Sequence, residues 1–298
     1  MLDISVIILT YNEEIHIKRC IENVKNFAKH IFVVDSFSTD KTVEIASEMG
    51  AVVYQNKWEN NYARQFNWGL DNLPISTEWV FRLDADEYLT DELIAELLIQ
   101  IPHLNESVCG IVFPLNRFFL NKRIKRGIGK MNLLRMFRFG KGKCEDRWMD
   151  EHIKLSHGNT LIINKAFCDH NLNTFSWWIS KHNGYSIREA IDLLDIEFNF
   201  FNSSSEKINL SADAANKRNK KLKYARLPLF WRSFFYFIYR YFFKLGFTEG
   251  KEAFLWHFLQ GWWYRTLVDA KIYEIRKHCG SDVIKIKEFI RKNYQIDL

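Results

Sequence analysis

The sequence predicts an α/β protein built on a doubly wound, mostly parallel sheet, and three observations predict it. Apolar, β-branched runs recur at residues 5–9, 31–35, 51–54 and 79–83. Helical stretches separate them at intervals of roughly 25 residues, the spacing of βαβ units. Two of the runs close on carboxylates, Asp35 and Asp84. Strands apolar on both faces suit a sheet covered by helices on both sides. Ligands of such sheets bind beyond the carboxyl ends of the strands, so residues 10–13, 35–40 and 84–86 fall along one edge.

Taken in order, residues 5–9 (SVIIL) form the first strand and run into Thr10, Tyr11, Asn12 and Glu13. Asn12 has the side chain to cap the helix that follows, which carries Ile15, Ile17, Ile21 and Val24 among charged residues. Residues 31–35 (IFVVD) form the second strand, residues 36–40 a polar turn, and residues 41–49 a helix closed by Gly50. The third strand covers 51–54, and the fourth, 79–83, stops at Asp84, Ala85, Asp86 and Glu87. Beyond residue 100 the pattern loosens. Residues 107–144 hold ten Lys or Arg and no Asp or Glu, after which Glu145, Asp146, Asp150, Glu151 and His152 crowd together. No internal repeat or Gly/Ser linker interrupts the chain. The division expected is a sheet domain over residues 1–175 and a helical, aromatic-rich extension over 176–298.

A length of 298 residues accommodates one large α/β domain plus an extension. A hydrophobic fraction of 47% with 13 Gly and 4 Pro excludes a disordered chain. The five cysteines include no Cys-x-x-Cys pair and read as reduced thiols of a cytoplasmic protein. The apolar run at residues 4–9 is too short for a signal peptide, so the chain is expected to begin within its first core strand. The basic stretches match nucleic acid in charge, but no nucleic-acid-binding motif accompanies them and the strand-end acids repel phosphate unless a metal intervenes. No nucleic-acid partner is expected.

Asp84 and Asp86 place two hard oxygen donors on one turn, the ligand type suited to Mg²⁺ or Mn²⁺ with water and phosphate oxygens completing the shell. Asp35 has two readings: accepting a hydrogen bond from a base N–H such as the uracil imide, or bonding the backbone of its own turn. Arg64 serves equally as a phosphate or base contact or as an exposed helix arginine. Asp150 and Glu151 are candidates for a general base that deprotonates an acceptor hydroxyl, against the plain alternative of a surface acidic cluster. His170 is either a metal ligand or a structural histidine.

The motifs SVIILTYNE (5–13), VVDSFSTD (33–40) and LDADE (83–87) resemble glycosyltransferase family 2, whose fold is of the GT-A type, in order and in spacing over residues 1 to about 100. Residues 147–152 (RWMDEH) and the aromatic C-terminal third resemble the bacterial branch that includes lipopolysaccharide-core β-glucosyltransferases and other surface-glycan enzymes. The resemblance implies donor-base contacts by Thr10, Tyr11, Asn12, Glu13 and Asp35, with Ser38, Ala85 and Arg64 also on the donor side. It further implies ribose or diphosphate contact by Asp84, metal ligation by Asp86 and a C-terminal His, here His170, and an acidic base. The family's usual order is Glu-Asp with the second acid as base, and here it is Asp-Glu, which favours Glu151 with Asp150 beside it. The activity implied is inverting transfer of glucose or another hexose or N-acetylhexosamine from a UDP-sugar, with Mn²⁺ or Mg²⁺, to a glycolipid or lipid-linked glycan acceptor. A nucleotidyltransferase would carry a Gly-rich loop where Thr10, Tyr11, Asn12 and Glu13 stand. A non-catalytic scaffold would bind donor without turnover.

Residues 227–246 (LPLFWRSFFYFIYRYFFKLG) are too interrupted by Arg232, Arg240 and Lys244 to span a bilayer. On a single helix those cations share a face, with Phe234, Phe237, Ile238 and Tyr241 over much of the rest. That pattern suits a helix lying on the inner face of the cell membrane, or one that packs in a core or an oligomer interface. Trp256, Trp262 and Trp263 fit a membrane interface or stacking on sugar rings.

Overall fold

The computed structural model describes residues 1–146, 151–200, 219 and 221–298, which divide into two compact units. The first comprises Met1–Lys125 and Gly129–Leu172; the second, Arg126–Ile128 and Asn173–Leu298.

In the first unit β1 (Leu2–Thr10), α1 (Ile17–Val24), β2 (Ala28–Asp35), α2 (Thr42–Glu48), β3 (Val52–Gln55), α3 (Tyr62–Asn72) and β4 (Trp79–Asp84) alternate as expected. There follow β5 (Glu87–Leu89), α4 (Asp91–Gln100), β6 (Val108–Phe119), β7 (Lys122–Ile124), β8 (Asn132–Arg138) and β9 (Gly142–Cys144). The unit closes with β10 (Ile153–Leu155), β11 (Asn159–Ile162) and β12 (Phe167–Asp169). The main sheet runs β3-β2-β1-β4-β8-β6-β12-β5. Its β3-β2-β1-β4 half is parallel, whereas β8 enters antiparallel to both β4 and β6. Alternate residues of β1 serve two cores. Ile4, Val6 and Ile8 pack with Ile17, Ile21 and Val24 of α1, while Ile7 and Leu9 pack with Ala63, Phe66 and Leu70 of α3. This two-sided burial explains why the strand is apolar without alternation. The architecture is the α/β, GT-A type sheet with a helical, aromatic-rich region after it.

Two local expectations are corrected. Asn12 does not cap α1: it takes a left-handed φ of 54°, and His16 occupies the N-cap position without a side-chain cap. Ile15 is exposed, because the helix begins only at Ile17.

The second unit is helical among its described residues. It contains α5 (Phe175–Phe198), α6 (Trp231–Ile238), α7 (Lys251–Trp256), α8 (Tyr264–Cys279) and α9 (Val283–Tyr294), with π-helical turns at Tyr239–Phe243 and His257–Trp263. Thr174 caps α5 and Asp282 caps α9 through their side-chain oxygens. Ile187, Ile191 and Leu194 of α5 meet Val268, Ile272 and Ile275 of α8 and Ile286 and Ile290 of α9, each set at helical spacing.

The segment 227–246 departs from the single amphipathic helix expected. Its α-helix ends at Ile238 and continues as a π turn, and Arg232 and Arg240 point inward. The partners lie elsewhere in this unit. Asp269 of α8 accepts from Arg232 Nε at 2.8 Å and Nη2 at 2.5 Å, while Arg240 Nε donates to the Gly127 carbonyl at 2.9 Å. Gly127 and Gly246 both pack against the buried His257 ring, where a Cβ on either would come within 2.5 Å of an imidazole atom. No helix among the described residues is long and apolar enough to cross a membrane.

Candidate active site

Strand register assembles the site. In the β1–β2 ladder Thr10 lies opposite Asp35, and in the β1–β4 ladder Leu9 lies opposite Asp84. Parallel pairing in this register therefore brings both acidic strand ends to flank the end of β1.

Asp35 is fully buried and saturated. Its Oδ1 accepts from Thr10 Oγ1 at 2.9 Å and Ser38 Oγ at 2.5 Å. Its Oδ2 accepts from the Ser38 amide at 2.8 Å and Gln55 Nε2 at 3.4 Å. This is the own-turn reading; a base N–H reaches the carboxylate only by displacing one of these donors. The turn is in turn tied to the β1 loop: the Asn12 amide donates to Ser38 Oγ at 2.8 Å, and Asn12 Oδ1 accepts from the Thr39 amide at 2.8 Å. Tyr11 stands exposed beside it. Glu13 instead turns inward to His16, whose Nδ1 lies 2.5 Å from Glu13 Oε2 while Nε2 accepts from the Leu172 amide at 2.8 Å.

Two buried arginines surround Asp84. Arg82, two residues earlier on β4, places Nη2 3.8 Å from Asp84 Oδ1 and 3.2 Å from Glu151 Oε1, so one guanidinium nitrogen links the turn to the base candidate. Arg135 of β8 places Nη2 3.4 Å from Asp84 Oδ2 and 2.6 Å from Glu87 Oε1. Burial pushes the Glu87 carboxyl above its ordinary range, against the pull of Arg135. Asp84 itself keeps 37% of its side chain exposed, so this charge remains available to solvent and ligand. Ala85 is buried between the two aspartates.

Asp86 and His170 meet through a second ladder. β12 pairs antiparallel with β5, setting Asp169 opposite Glu87, and one step on the His170 amide donates to the Asp86 carbonyl at 3.0 Å. Arg19 of α1 clamps the pair, donating from Nη2 to the carbonyls of Asp86 (3.1 Å) and His170 (2.7 Å). Asn171 Nδ2 donates to Asp86 Oδ2 at 3.0 Å, and His170 Nε2 lies 2.9 Å from Asn121 Oδ1. Partial burial, then the neighbouring Arg19, hold the His170 imidazole below its ordinary pKa. The ring nitrogens of His170 face Asn121 Oδ1 and, at 3.4 Å from Nδ1, Arg19 Nη1, so the imidazole would join Asp86 on a divalent ion only by giving up one of these contacts. Among the described residues no three His, Cys, Asp or Glu side chains gather as a ready-made cage. One or two carboxylates with water and phosphate oxygens are the usual arrangement for Mg²⁺, so Asp86 fits on that basis and His170 would be an added, softer ligand.

Arg64 stays apart from these groups. On α3 it pairs with Asp146 (3.1 Å) and Glu59 (3.5 Å), with 55% of its side chain exposed. Asp150 lies outside the described residues. Among the described residues, four of the ten basic side chains of 107–144 pair with acids of this unit: Arg135 as above, Arg117 on Asp169, Arg138 on Glu78 and Lys143 on Asp71.

Comparison with known proteins decides the family. A family model described as glycosyl transferase family 2 matches residues 5–168, more than half of the chain. The chain belongs to this family. An uncharacterized glycosyltransferase from Rickettsia felis is 26% identical over 86% of this chain and 86% of its own length. One from Rickettsia bellii is 43% identical over 32% of this chain and 31% of its own. Among solved structures, glucosyl-3-phosphoglycerate synthase from Mycobacterium tuberculosis, in complex with Mn²⁺, UDP and glucosyl-3-phosphoglycerate, matches 39% of this chain and 43% of its own length. That match has 22% identity and a TM-score of 0.31.

In this glycosyltransferase the sequence reading missed Arg19, Arg82, Arg135 and Asn171. A signal was present for two of them. Arg82 and Arg135 interrupt apolar strand runs, and a charge in a buried strand requires a partner. Arg19 and Asn171 carry no comparable mark.

Proposed function

We propose that the protein is a metal-dependent, inverting glycosyltransferase that moves glucose, or another hexose or N-acetylhexosamine, from a UDP-sugar. Its acceptor in this reading is a glycolipid or lipid-linked glycan of lipopolysaccharide or another surface polysaccharide, reached from the cytoplasmic face of the cell membrane. The observation that carries the chemistry is the convergence of Asp35, Asp84, Asp86 and Glu151 at one sheet edge, the last tied to the second by Arg82.

Tyr11 offers a stacking face for the base, with Thr10, Asn12, Glu13, Ser38 and Asp35 forming the wall behind it. Asp86 and His170 would hold the divalent ion, which when bound neutralises charge on the diphosphate leaving group. Asp84, fixed between Arg82 and Arg135, contacts the ribose or diphosphate side. Glu151, or Asp150 next to it, takes the acceptor hydroxyl proton as that oxygen attacks the anomeric carbon from the face opposite the departing UDP, giving inversion. Arg82 positions Glu151 for this role by holding one carboxylate oxygen.

The test is transfer from UDP-sugars in the presence of Mn²⁺ by wild type, Asp86→Ala and Glu151→Gln. Both variants should melt as wild type does and lose transfer. Full transfer by Asp86→Ala would remove the metal role, and full transfer by Glu151→Gln would move the base to Asp150.

A further inference from the structure

We infer that the aromatic face of the helical unit is a docking surface for an anionic lipid bilayer, seated at the interface without spanning it. The inference deepens the membrane location proposed above and rests on the surface of that unit alone. A soluble helix turns its cations to water and its rings to the core, and here two arginines are turned inward while many rings are turned outward. Arg232 and Arg240 are buried, whereas eleven of the 26 exposed large apolar side chains among the described residues fall between residues 227 and 255. Phe243, Trp231 and Phe235 are 74%, 62% and 59% exposed.

The face is continuous. Ring contacts of 5.4–6.4 Å link Trp231 through Phe234, Trp262, Phe258 and Phe254 to Tyr241. A cleft of about 420 Å³, lined by Trp263, Leu267 and Ala270 beside the same Phe258 and Trp262, gives it a recess suited to a hydrocarbon chain. An exposed apolar patch of this kind marks an interaction surface.

Charge selects the occupant. Within the described residues 221–260, the exposed charged side chains are Lys223, Arg226, Lys244 and Lys251, all cations. A two-fold contact between copies would set these like charges against one another. An anionic head-group layer neutralises them while the rings enter the acyl boundary, the geometry favoured by aromatic and basic interfacial segments. The absence of a spanning helix among the described residues agrees with a protein that lies on the bilayer.

The test is sedimentation of the full chain with vesicles of phosphatidylcholine, alone or mixed with phosphatidylglycerol, with neither sugar donor nor acceptor present. Wild type should bind the mixed vesicles, release them as salt rises, and bind phosphatidylcholine weakly. Phe235→Ser/Phe243→Ser should lower binding by at least about tenfold. Lys244→Glu/Lys251→Glu should lower it several-fold, with both variants melting as wild type. Absence of binding to anionic vesicles, or binding unchanged in Phe235→Ser/Phe243→Ser, overturns the inference. So does a wild-type dimer that this variant dissolves in the absence of vesicle binding, which would assign the face to a second copy. Because no donor or acceptor is used, failure here leaves the transferase reading intact, and failure of UDP binding leaves this result intact.

Discussion

Both units bury arginine against carboxylate, and the two regions use the device differently. In the helical unit Arg232 and Asp269 enclose each other, with 2% and 1% of their side chains exposed, and nothing of the pair reaches solvent. In the sheet unit Arg82 and Arg135 are nearly as sunk, and Arg135 also closes on the buried Glu87, but their shared partner Asp84 and Arg82's partner Glu151 keep 37% and 18% exposed. A closed pair fixes packing and has no charge to offer. A pair that is open on its carboxylate side is rigid and still able to meet a ligand, which is what a preorganised site requires.

The largest expected effect breaks the device in each place. Arg232→Met strands Asp269, and Arg135→Met strands Glu87; each should cost roughly 3–5 kcal/mol in denaturant unfolding, as for other buried charges left alone. Where enough folded protein remains, Arg135→Met should weaken nucleotide binding and Arg232→Met should not.

Next comes Asp86→Ala, expected to lower transfer on the order of 10²–10³-fold with little change in melting, since its partially exposed side chain serves the site and not the core. Equal losses of stability and activity would place Asp86 with the closed pairs.

Legibility followed the same division. The runs ending at Asp35 and Asp84 were readable because a parallel strand buried on both faces leaves a continuous apolar signature. The insertion of β8 between β4 and β6 was not, since antiparallel pairing between distant segments leaves no local pattern. His170 reaches Asp86 through the β5–β12 ladder, a contact that register creates and the intervening sequence does not announce. Helical period grouped Arg232, Arg240 and Lys244 on one face; the two arginines are both buried, but Lys244, past the π turn, is exposed. The period could not tell which face was inward, because that depended on Asp269 of α8 and on the Gly127 carbonyl, far away in sequence.

A third effect is one of pH. Burial, followed by the nearby Arg240, pushes His257 down to about 4, so the folded helical unit refuses a proton that the unfolded chain accepts below about 6.5. Stability should therefore fall as pH drops from 6.5 towards 4, by about 3 kcal/mol at the acid end. His257→Leu should flatten that slope in pH-dependent melts, and an unchanged slope would assign the loss to other groups.

The smallest effect is on stability at the exposed rings: Phe243→Ser should change the unfolding free energy by no more than about 0.5 kcal/mol, measured by chemical denaturation. A larger loss would mean that the ring is part of the core.

Whether the acidic strand ends form a metal-assisted nucleotide site is read most directly from thermal melting with UDP. With Mn²⁺ present, saturating UDP should stabilise wild type by about 2–3 kcal/mol, and should do little without metal or in Asp86→Ala. The same shift without metal and in the variant would contradict the account, as would no shift with any nucleoside diphosphate in a folded sample.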